Sequence, residues 1–382
     1  MTQKQRACTQ SNMYDVVIIG AGLAGLMAAR SLPKSFSFLV IDSKEKVGLP
    51  LKCGEGVRAE RFTKLFKDKK YGFVRNTVHE HEIRYKDIRR SFKADYIQLD
   101  RPKFEQWLAK PFKNKIKLKT RCKDIILKKD FAEIITNNGK IKAKLAILAY
   151  GSNFTIQKKY KLLGKQPIIF ASYGGIYKNH NFDQKKFYAY FDDKYLGYLW
   201  IFPKNKDIAN VGFGTIVKGI NIKKALTDLL KEINPKMKKL SNYGGIVPCS
   251  GPIDKTYHNR LLICGDAAGM VYAGTGEGIY FALESGKVAA ETAVKALKQR
   301  KFNKEFLKQY QKRWKNNFNK IMKAGIIFYD LQYLAFKHKK GKKLFTLPTD
   351  KELKNILNGK VPLRAKAIWH LYKTLKKIFK NS

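Results

Sequence analysis

Residues 14–42 read YDVVIIGAGLAGLMAARSLPKSFSFLVID, and the reading of this stretch decides the fold. Asp15 is followed by four apolar residues, 16–19, that read as a short buried strand. The chain then turns through Gly20, Gly22 and Gly25 into a helical pattern over residues 23–32. A second apolar run, 38–41, ends at Asp42, 22 residues after Gly20. Strand, glycine turn, helix, strand and acid at this spacing describe a dinucleotide-binding βαβ unit. In such a unit Gly20 allows the tight turn and Gly22 lets the backbone approach a pyrophosphate. Gly25 lets the helix pack close to its strand. The helix N-terminus offers free N–H groups and a partial positive charge to phosphates, and Asp42 is placed to accept from an adenosine ribose.

The chain of 382 residues is long enough for two intimately packed domains, and 44% apolar residues exclude wholesale disorder. The charge is extreme: 78 Lys+Arg against 30 Asp+Glu give +48. Such a field attracts anions, whether nucleic acid, anionic lipid head groups or an acidic electron carrier. A lysine-rich proteome is the alternative source of the charge. No nucleic-acid-binding signature is present, so nucleic acid is not expected as a partner. Cys8, Cys53, Cys122, Cys249 and Cys264 are scattered, odd in number and never spaced as CxxC, which argues for a reducing compartment and against a metal centre. The first 13 residues are polar and do not read as a secretory signal. The best membrane-spanning candidate, 324–336, is too short and carries Asp330. The expectation is a cytoplasmic protein, peripheral at a membrane surface.

Further along, the loop SKEKVGLPLKCGEGV is rich in glycine and contains Cys53, which makes it a candidate for lining the cofactor. Residues 58–66 read as helix and 73–99 as strands. His79, Glu80, His81 and Glu82 alternate, and with no further ligands nearby they read as a solvated edge strand, not a metal site. Asp100 is a plausible N-cap for a helix with Pro102 in its first turn. Strands follow at 116–127, 131–137 and 142–153, then several aromatic-rich strands over 166–216 and an amphipathic helix over Ile222–Ile233. A strand at 261–264 ends at Gly265 and Asp266. The loop 269–278 holds four glycines and leads into a helix, whose positive end would suit a flavin ring that becomes anionic on reduction.

Together, DVVIIGAGLAGLMAA, KCGEGV, DRPKFEQWLA, AILAYGSN, YLGYLWIFP and CGDAAGMVYAGTGEGIYFALESG resemble the geranylgeranyl reductase family of FAD-dependent oxidoreductases, within the p-hydroxybenzoate hydroxylase-like superfamily. The resemblance covers roughly residues 13–300. It implies an α/β fold in which a Rossmann-like FAD-binding domain (13–72, 100–160 and 250–300) is interleaved with an antiparallel-sheet substrate domain (73–99 and 161–249). A basic helical C-terminal region, 301–382, follows. It implies FAD held by Gly20, Ala21, Gly22, Gly25, Asp42, Ser43, Cys53, Gly54, Arg101, Gly265, Asp266, Gly276, Gly278 and Ile279. Tyr198, Trp200 and Phe202 are implied as the wall of the substrate cavity, and Cys53 as the loop cysteine, either a proton source or part of the wall. No metal is implied. Tyr150 departs from the family pattern, which has a small residue there.

The implied reaction is saturation of isolated double bonds in geranylgeranyl or polyprenyl chains on a lipid or prenyl diphosphate. An isolated alkene is not polarised, so hydride delivery must be accompanied by protonation of the other carbon. The pocket should then be apolar, aromatic and dry. No second complete GxGxxG unit is present for a nicotinamide cofactor, so NAD(P)H binding transiently, or a ferredoxin, is the expected donor. The alternative is an FAD-dependent aromatic monooxygenase of the same superfamily. Residues 331–382 hold 14 Lys+Arg and 2 Asp+Glu. Within 363–380, Ile368, Leu371, Tyr372, Leu375, Ile378 and Phe379 form one stripe. A basic amphipathic helix of this kind reads either as binding an anionic membrane surface or as packing on the core with a solvated lysine face.

Overall fold

The apolar run at 16–19 becomes the centre of a parallel sheet because both of its faces are covered, the environment in which a strand carries continuous rather than alternating apolar residues. The computed structural model describes residues 13–67 and 71–378. It begins with β1 (Tyr14–Ile19), α1 (Leu23–Arg30), β2 (Phe38–Ile41), β3 (Gly56–Arg58), α2 (Ala59–Leu65), β4 (Val74–Tyr85) and β5 (Ile88–Leu99). Next come α3 (Arg101–Ala109), β6 (Ile116–Lys117), β7 (Cys122–Leu127), β8 (Ala132–Thr136), β9 (Gly139–Leu148) and α4 (Thr155–Lys159). The middle of the chain forms β10 (Ile169–Lys178), β11 (Lys186–Asp192), β12 (Gly197–Pro203), β13 (Ala209–Thr215), α5 (Ile222–Ile233) and β14 (Lys238–Pro248). After β15 (Tyr257–His258) and β16 (Leu261–Ile263) the chain is helical: α6 (Ile279–Gln299), α7 (Lys304–Lys337), α8 (Gly341–Thr346), α9 (Asp350–Leu357) and α10 (Leu363–Ile378).

The first sheet runs β15-β16-β9-β1-β2-β6 and is parallel from β16 to β6. β7 and β8 extend it antiparallel from the first half of β9. Helices α1 and α6 cross over it in backbone contact: a Cβ on Gly286 would stand 2.1 Å from the Ala24 carbonyl oxygen. The second sheet runs β14-β10-β13-β12-β11-β4-β5-β3. One of its faces packs Leu199, Ile201, Val211 and Phe213 under Leu226 and Leu230 of α5. Tyr198, Trp200 and Phe202 alternate with that set along β12 and so face the other way.

Several expectations are corrected. The segment 79–82 is not an edge strand, because β11 adds to β4 in parallel and places it between β11 and β5. His81 and Glu82 are buried as a result. That parallel pair is the one departure from an antiparallel second sheet among the described residues. Residues 116–127 form two strands, β6 beside β2 and β7 beside β8, because the chain turns at 118–121. Strand β3, placed by the sequence reading with the dinucleotide unit, hydrogen-bonds to β5 of the second sheet.

The C-terminal region is no appendage. Helix α7 has 34 residues, about 50 Å at the α-helical rise. Near its start Tyr310 donates to the Ile263 carbonyl at 2.9 Å, and Trp314 Nε1 donates to Thr256 at 2.9 Å. Near its end Phe336 packs with Tyr85 of the second sheet and with Phe345 of α8. One helix therefore ties both sheets together. No helix among the described residues is long and apolar enough to cross a membrane. In the stripe expected on the last helix, Ile368 and Leu371 are exposed and Tyr372 is half-buried. The side chains of Leu375 and Ile378, and Phe379 and Lys380 altogether, lie outside the described residues.

Gly286→Ala pushes a methyl group into the Ala24 carbonyl. Overpacking of this kind costs about 1–3 kcal/mol and the gain in helix propensity offsets only about 1 kcal/mol of it. The expected outcome is a lower urea midpoint with an unchanged slope; an unchanged midpoint would mean that α1 and α6 separate without cost.

Candidate active site

A cavity of about 960 Å³ opens where the carboxyl ends of β1, β9 and β16 meet the second sheet. Three turns leave those strand ends: 20–22, 149–151 and 265–266. In open parallel sheets this is where ligands bind.

The first turn is forced by geometry. Gly20 has φ +115°, and a Cβ there would lie 2.3 Å from the Ala149 carbonyl oxygen. A Cβ on Gly25 would lie 1.8 Å from the Gly20 oxygen, so the helix does pack against the turn as its spacing implies. Gly22 differs, since nothing lies within 4 Å of where its Cβ would be. No packing within the chain demands glycine at position 22; the open space in front of the α1 N-terminus does. Asp42 is a brace as well as a lining residue: its carboxylate accepts from Ala21 N at 2.6 Å and from Lys44 N at 2.8 Å. Ser43 and Arg101 line the same end. Arg101 pairs with Glu105, whose Oε2 lies 3.9 Å from Lys44 Nζ, yet Arg101 Nε is buried without a hydrogen-bond partner. An open cleft, a helix N-terminus and an unsatisfied buried guanidinium N–H make a cradle for a phosphate-bearing group. Tyr150 stands at its side, donating to Gln157 Oε1 at 2.9 Å.

At the other end, Asp266 follows β16 and faces Ser152 at 3.5 Å. Burial pushes its carboxyl above the usual carboxylate range, with the Arg101 charge and the Ser152 hydroxyl opposing. Gly276 sits at φ +72° and Gly278 precedes α6, whose first residue Ile279 also lines the cavity. This loop is held from two sides. Tyr198 donates to the Thr275 carbonyl at 2.7 Å, and Arg61, buried, donates to Glu277 at 2.6 Å.

Between these ends stands the turn 53–55. Glu55 has φ +69° and is fully buried. Its carboxylate accepts from Lys204 Nζ at 2.6 Å, Asn210 Nδ2 at 3.0 Å and the Arg101 backbone N at 2.9 Å. Asn210 also donates to the Cys53 carbonyl at 2.9 Å and accepts from Trp200 Nε1 at 3.0 Å and Tyr243 at 2.7 Å. Cys53 Sγ accepts from Glu55 N at 3.2 Å, and burial pushes its thiol up despite the opposing charge of Arg101.

The second sheet supplies the wall in rows across strands. Cross-strand neighbours His81, Phe187, Phe202 and Asn210 form one row. Ile83, Ala189, Trp200, Gly212 and Gly174 form the next. The glycines are vacated for the aromatic rings: a Cβ on Gly212 would lie 2.2 Å from Trp200, and one on Gly214 2.1 Å from Phe170. Phe202 stacks on Phe187 at 4.2 Å and abuts Gly54. Farther from the first sheet, Ile83, Phe92 and Phe191 meet Leu344, Phe345 and Leu353 from α8 and α9. His81 and Tyr96 bring polar atoms to this lining. His81 Nδ1 lies 3.1 Å from the Tyr96 hydroxyl, which accepts from Arg58 at 3.3 Å, while His81 Nε2 has no partner. Desolvation, helped by the Arg58 charge, lowers the His81 pKa to about 3.

Of the residues singled out in sequence, Gly22, Asp42, Ser43, Cys53, Gly54, Arg101, Tyr198, Trp200, Phe202, Asp266, Gly276, Gly278 and Ile279 line this one cavity. Gly20, Ala21, Gly25 and Gly265 shape the turns behind it. The sequence reading missed Glu55, Asn210, His81, the Phe187 row and the α8–α9 contribution. A signal existed for the rows, since Gly212 and Gly214 alternate on β13 at the spacing of Tyr198, Trp200 and Phe202 on β12.

The chain matches two family descriptions: "Geranylgeranyl reductase catalytic domain" over residues 171–247 and "Glucose inhibited division protein A" over residues 15–176. It is 32% identical over 335 residues to a digeranylgeranylglycerophospholipid reductase of Methanocaldococcus jannaschii, covering 80% of this chain and 83% of that protein. A geranylgeranyl bacteriochlorophyll reductase-like protein of Thermoplasma acidophilum superposes with TM-score 0.80 at 22% identity, over 97% of this chain and 99% of that one. A variant of the halogenase PltM, solved in complex with FAD, superposes with TM-score 0.67 at 13% identity, over 97% of this chain and 92% of that one.

His81 sets a pH dependence. Between the ordinary 6.5 and about 3 the unfolded chain binds a proton on this residue and the folded chain does not. Stability from this group is therefore present above 6.5 and is lost as pH falls through that window, by about 2 kcal/mol between pH 7 and pH 5. Urea midpoints across this range check it, with His81→Phe expected to flatten the decline; an equal slope in the variant would assign the effect elsewhere.

Proposed function

The chain belongs to the geranylgeranyl reductase family of FAD-dependent oxidoreductases, and from that premise we propose that it saturates isolated double bonds of geranylgeranyl or polyprenyl chains carried on a glycerophospholipid or a prenyl diphosphate. The observation that carries this reading is the Tyr198, Trp200 and Phe202 row, which meets the Cys53 turn and the 276–278 loop in one cavity that continues into an apolar end.

The residues fit FAD. Gly22 leaves space that its own chain does not use, and Arg101 Nε lines the same cavity without a hydrogen-bond partner. In this reading Gly20, Ala21, Gly22, Gly25, Asp42 and Ser43 form the seat for the ADP half. Cys53, Gly54, Arg101, Gly265, Asp266, Gly276, Gly278 and Ile279 hold the rest, with the positive end of α6 toward the flavin. Segments 13–72, 100–160 and 250–300 carry the cofactor, and 73–99 with 161–249 carry the substrate. Reduced FAD supplies the hydride that an unpolarised alkene needs together with a proton.

The chain's own residues do the rest. Cys53 holds a proton on Sγ, since burial keeps the thiol from ionising at neutral pH. Trp200 and Phe202 exclude water from the cavity, and Tyr198 holds the 275–278 loop through the Thr275 carbonyl. Electrons reach the site from NAD(P)H or a ferredoxin. The charge of +48 supports docking of an acidic donor and a peripheral position at an anionic membrane surface.

Gly22→Val is expected to leave the fold intact and weaken FAD binding by about tenfold or more, read by flavin fluorescence titration of the apoprotein; undiminished affinity would move the pyrophosphate seat elsewhere. Incubated anaerobically with chemically reduced flavin and a geranylgeranylated glycerophospholipid, the protein is expected to add two hydrogens per double bond, read by mass spectrometry. Unchanged masses, or oxygen-dependent hydroxylation of an aromatic compound, would favour the monooxygenase reading. Cys53→Ala is expected to slow lipid reduction by about a hundredfold at saturating FAD, and a wild-type rate would reduce Cys53 to part of the wall.

A further inference from the structure

The apolar end of the cavity is closed by the C-terminal helices, and those helices turn a second apolar side outward. Leu344, Phe345 and Leu353 face the cavity. Two residues beyond Phe345, Leu347 in the α8–α9 connection is 63% exposed, and on α10 Leu363, Ile368 and Leu371 are 82%, 59% and 63% exposed. The two sets adjoin, because Arg364 donates to the Leu347 carbonyl at 3.1 Å.

This face is not the one by which α10 packs on the protein. Its inner side is taken: Trp369 Nε1 donates to Asp330 on α7 at 2.7 Å and Lys373 pairs with the same carboxylate at 3.0 Å. The outer stripe is therefore free while the helix is anchored. Around it the charge is one-sided. Residues 338–374 hold ten Lys+Arg and only Asp350 and Glu352. Both acids are already paired, with Arg90 and Arg364 respectively. Lys342, Arg364 and Lys373 are ion-paired, and the remaining seven cations leave a positive excess around the stripe. Large aliphatic side chains ringed by excess positive charge match an anionic lipid bilayer, which offers an apolar interior beneath a negative surface.

We propose that α10 and the 347 connection dock on an anionic lipid bilayer, and that docking brings the bilayer against the α8–α9 layer through which a prenyl chain reaches the apolar end of the cavity. The docking rests on the exposed stripe and the charge; the delivery step rests in addition on the lipid-reductase reading. Phe345, which lines the cavity, and Leu347, which is exposed, stand two residues apart in this layer. Arg90 holds that pair to the second sheet, donating to the Phe345 and Pro348 carbonyls and pairing with Asp350.

The test uses the full chain loaded with FAD and the triple variant Leu363→Asp, Ile368→Asp, Leu371→Asp, whose side chains lie away from the cavity. Co-sedimentation is measured with phosphatidylglycerol and phosphatidylcholine vesicles, and lipid reduction with substrate in phosphatidylglycerol vesicles or dispersed in detergent. The wild type is expected to bind phosphatidylglycerol vesicles at least about tenfold better than phosphatidylcholine. The variant is expected to lose that binding and the vesicle rate together while keeping its flavin spectrum and its detergent rate. Wild-type binding by the variant overturns the docking surface. Lost binding with an unchanged vesicle rate overturns the delivery role. A wild-type dimer abolished by the substitutions, without vesicle binding, overturns the lipid partner in favour of a second copy. Absence of any reduction in detergent counts against the reductase reading and leaves the binding measurement to decide the docking.

Discussion

One buried carboxylate, Glu55, holds the first-sheet side and the second-sheet side of the cavity in register. Its three partners come from three places: Lys204 after β12, Asn210 on β13 and the backbone N–H that opens α3. A buried charge is tolerable only when every partner is present, and removing one leaves a penalty of several kcal/mol. The turn is locked further by the Leu99 N–H to the Glu55 carbonyl and by Gln98 to the Gly54 carbonyl. Glu55 pays for this with a left-handed backbone that a non-glycine residue seldom adopts. Asn210 then transmits the constraint. Both its donors and its acceptor are used, so the Cys53 turn, Trp200 and Tyr243 form a single hydrogen-bonded unit.

The aromatic wall depends on a complementary constraint, which is space. A tryptophan ring lying flat over a sheet occupies positions that neighbouring Cβ atoms would normally take. Gly212 gives way to Trp200, and Gly214 to Phe170. Phe170 stacks on Tyr198 at 5.5 Å, which in turn donates to the Thr275 carbonyl. A glycine on β13 thereby fixes the position of a loop far away in the chain. Cross-strand pairing is the route by which this happens, because register decides which side chain meets which vacancy.

The first sheet and both glycine loops were legible in sequence because their signals are local. Strand, turn, helix and acid fall within 14–42, and each glycine has a steric cause within a few residues or across one helix contact. The position of β4 was not legible. His79 to Glu82 alternate as an edge strand would, and only the arrival of β11 from about a hundred residues later buries His81 and Glu82. Glu55 lay in the quoted KCGEGV loop and Asn210 in the aromatic-rich span 166–216 without marking themselves, since a glutamate in a loop and an asparagine on a strand are ordinary until their partners are known. Leu344, Phe345 and Leu353 were further out of reach. Helical periodicity says that one face is apolar and says nothing about what that face meets.

The polarity of the cavity is graded, and the grade follows from burial rather than from composition. A chain of charge +48 would be expected to carry its excess everywhere, yet the titratable side chains of the aromatic wall are neutral, and the acids beside it, Glu55 and Glu277, are paired with Lys204 and Arg61. Burial raises Cys53 and Tyr198 and lowers His81, and each shift favours the uncharged form at neutral pH. Of the charged lining groups, Asp42, Lys44, Arg101, Glu105, Arg121 and Asp266 stand on the side built by the first sheet. A cofactor with phosphates and a ring that reacts suits such a gradient from the charged side, and a hydrocarbon chain suits it from the other. In the proposed function an alkene offers no hydrogen bond by which to be recognised, so discrimination between prenyl chains has to come from the shape of the apolar end. That shape is set by Ile83, Phe92 and Phe191 on the sheet and by Leu344, Phe345 and Leu353 on α8 and α9. The part of the chain farthest in sequence from the opening glycine turn is therefore the part best placed to decide which chain is accepted.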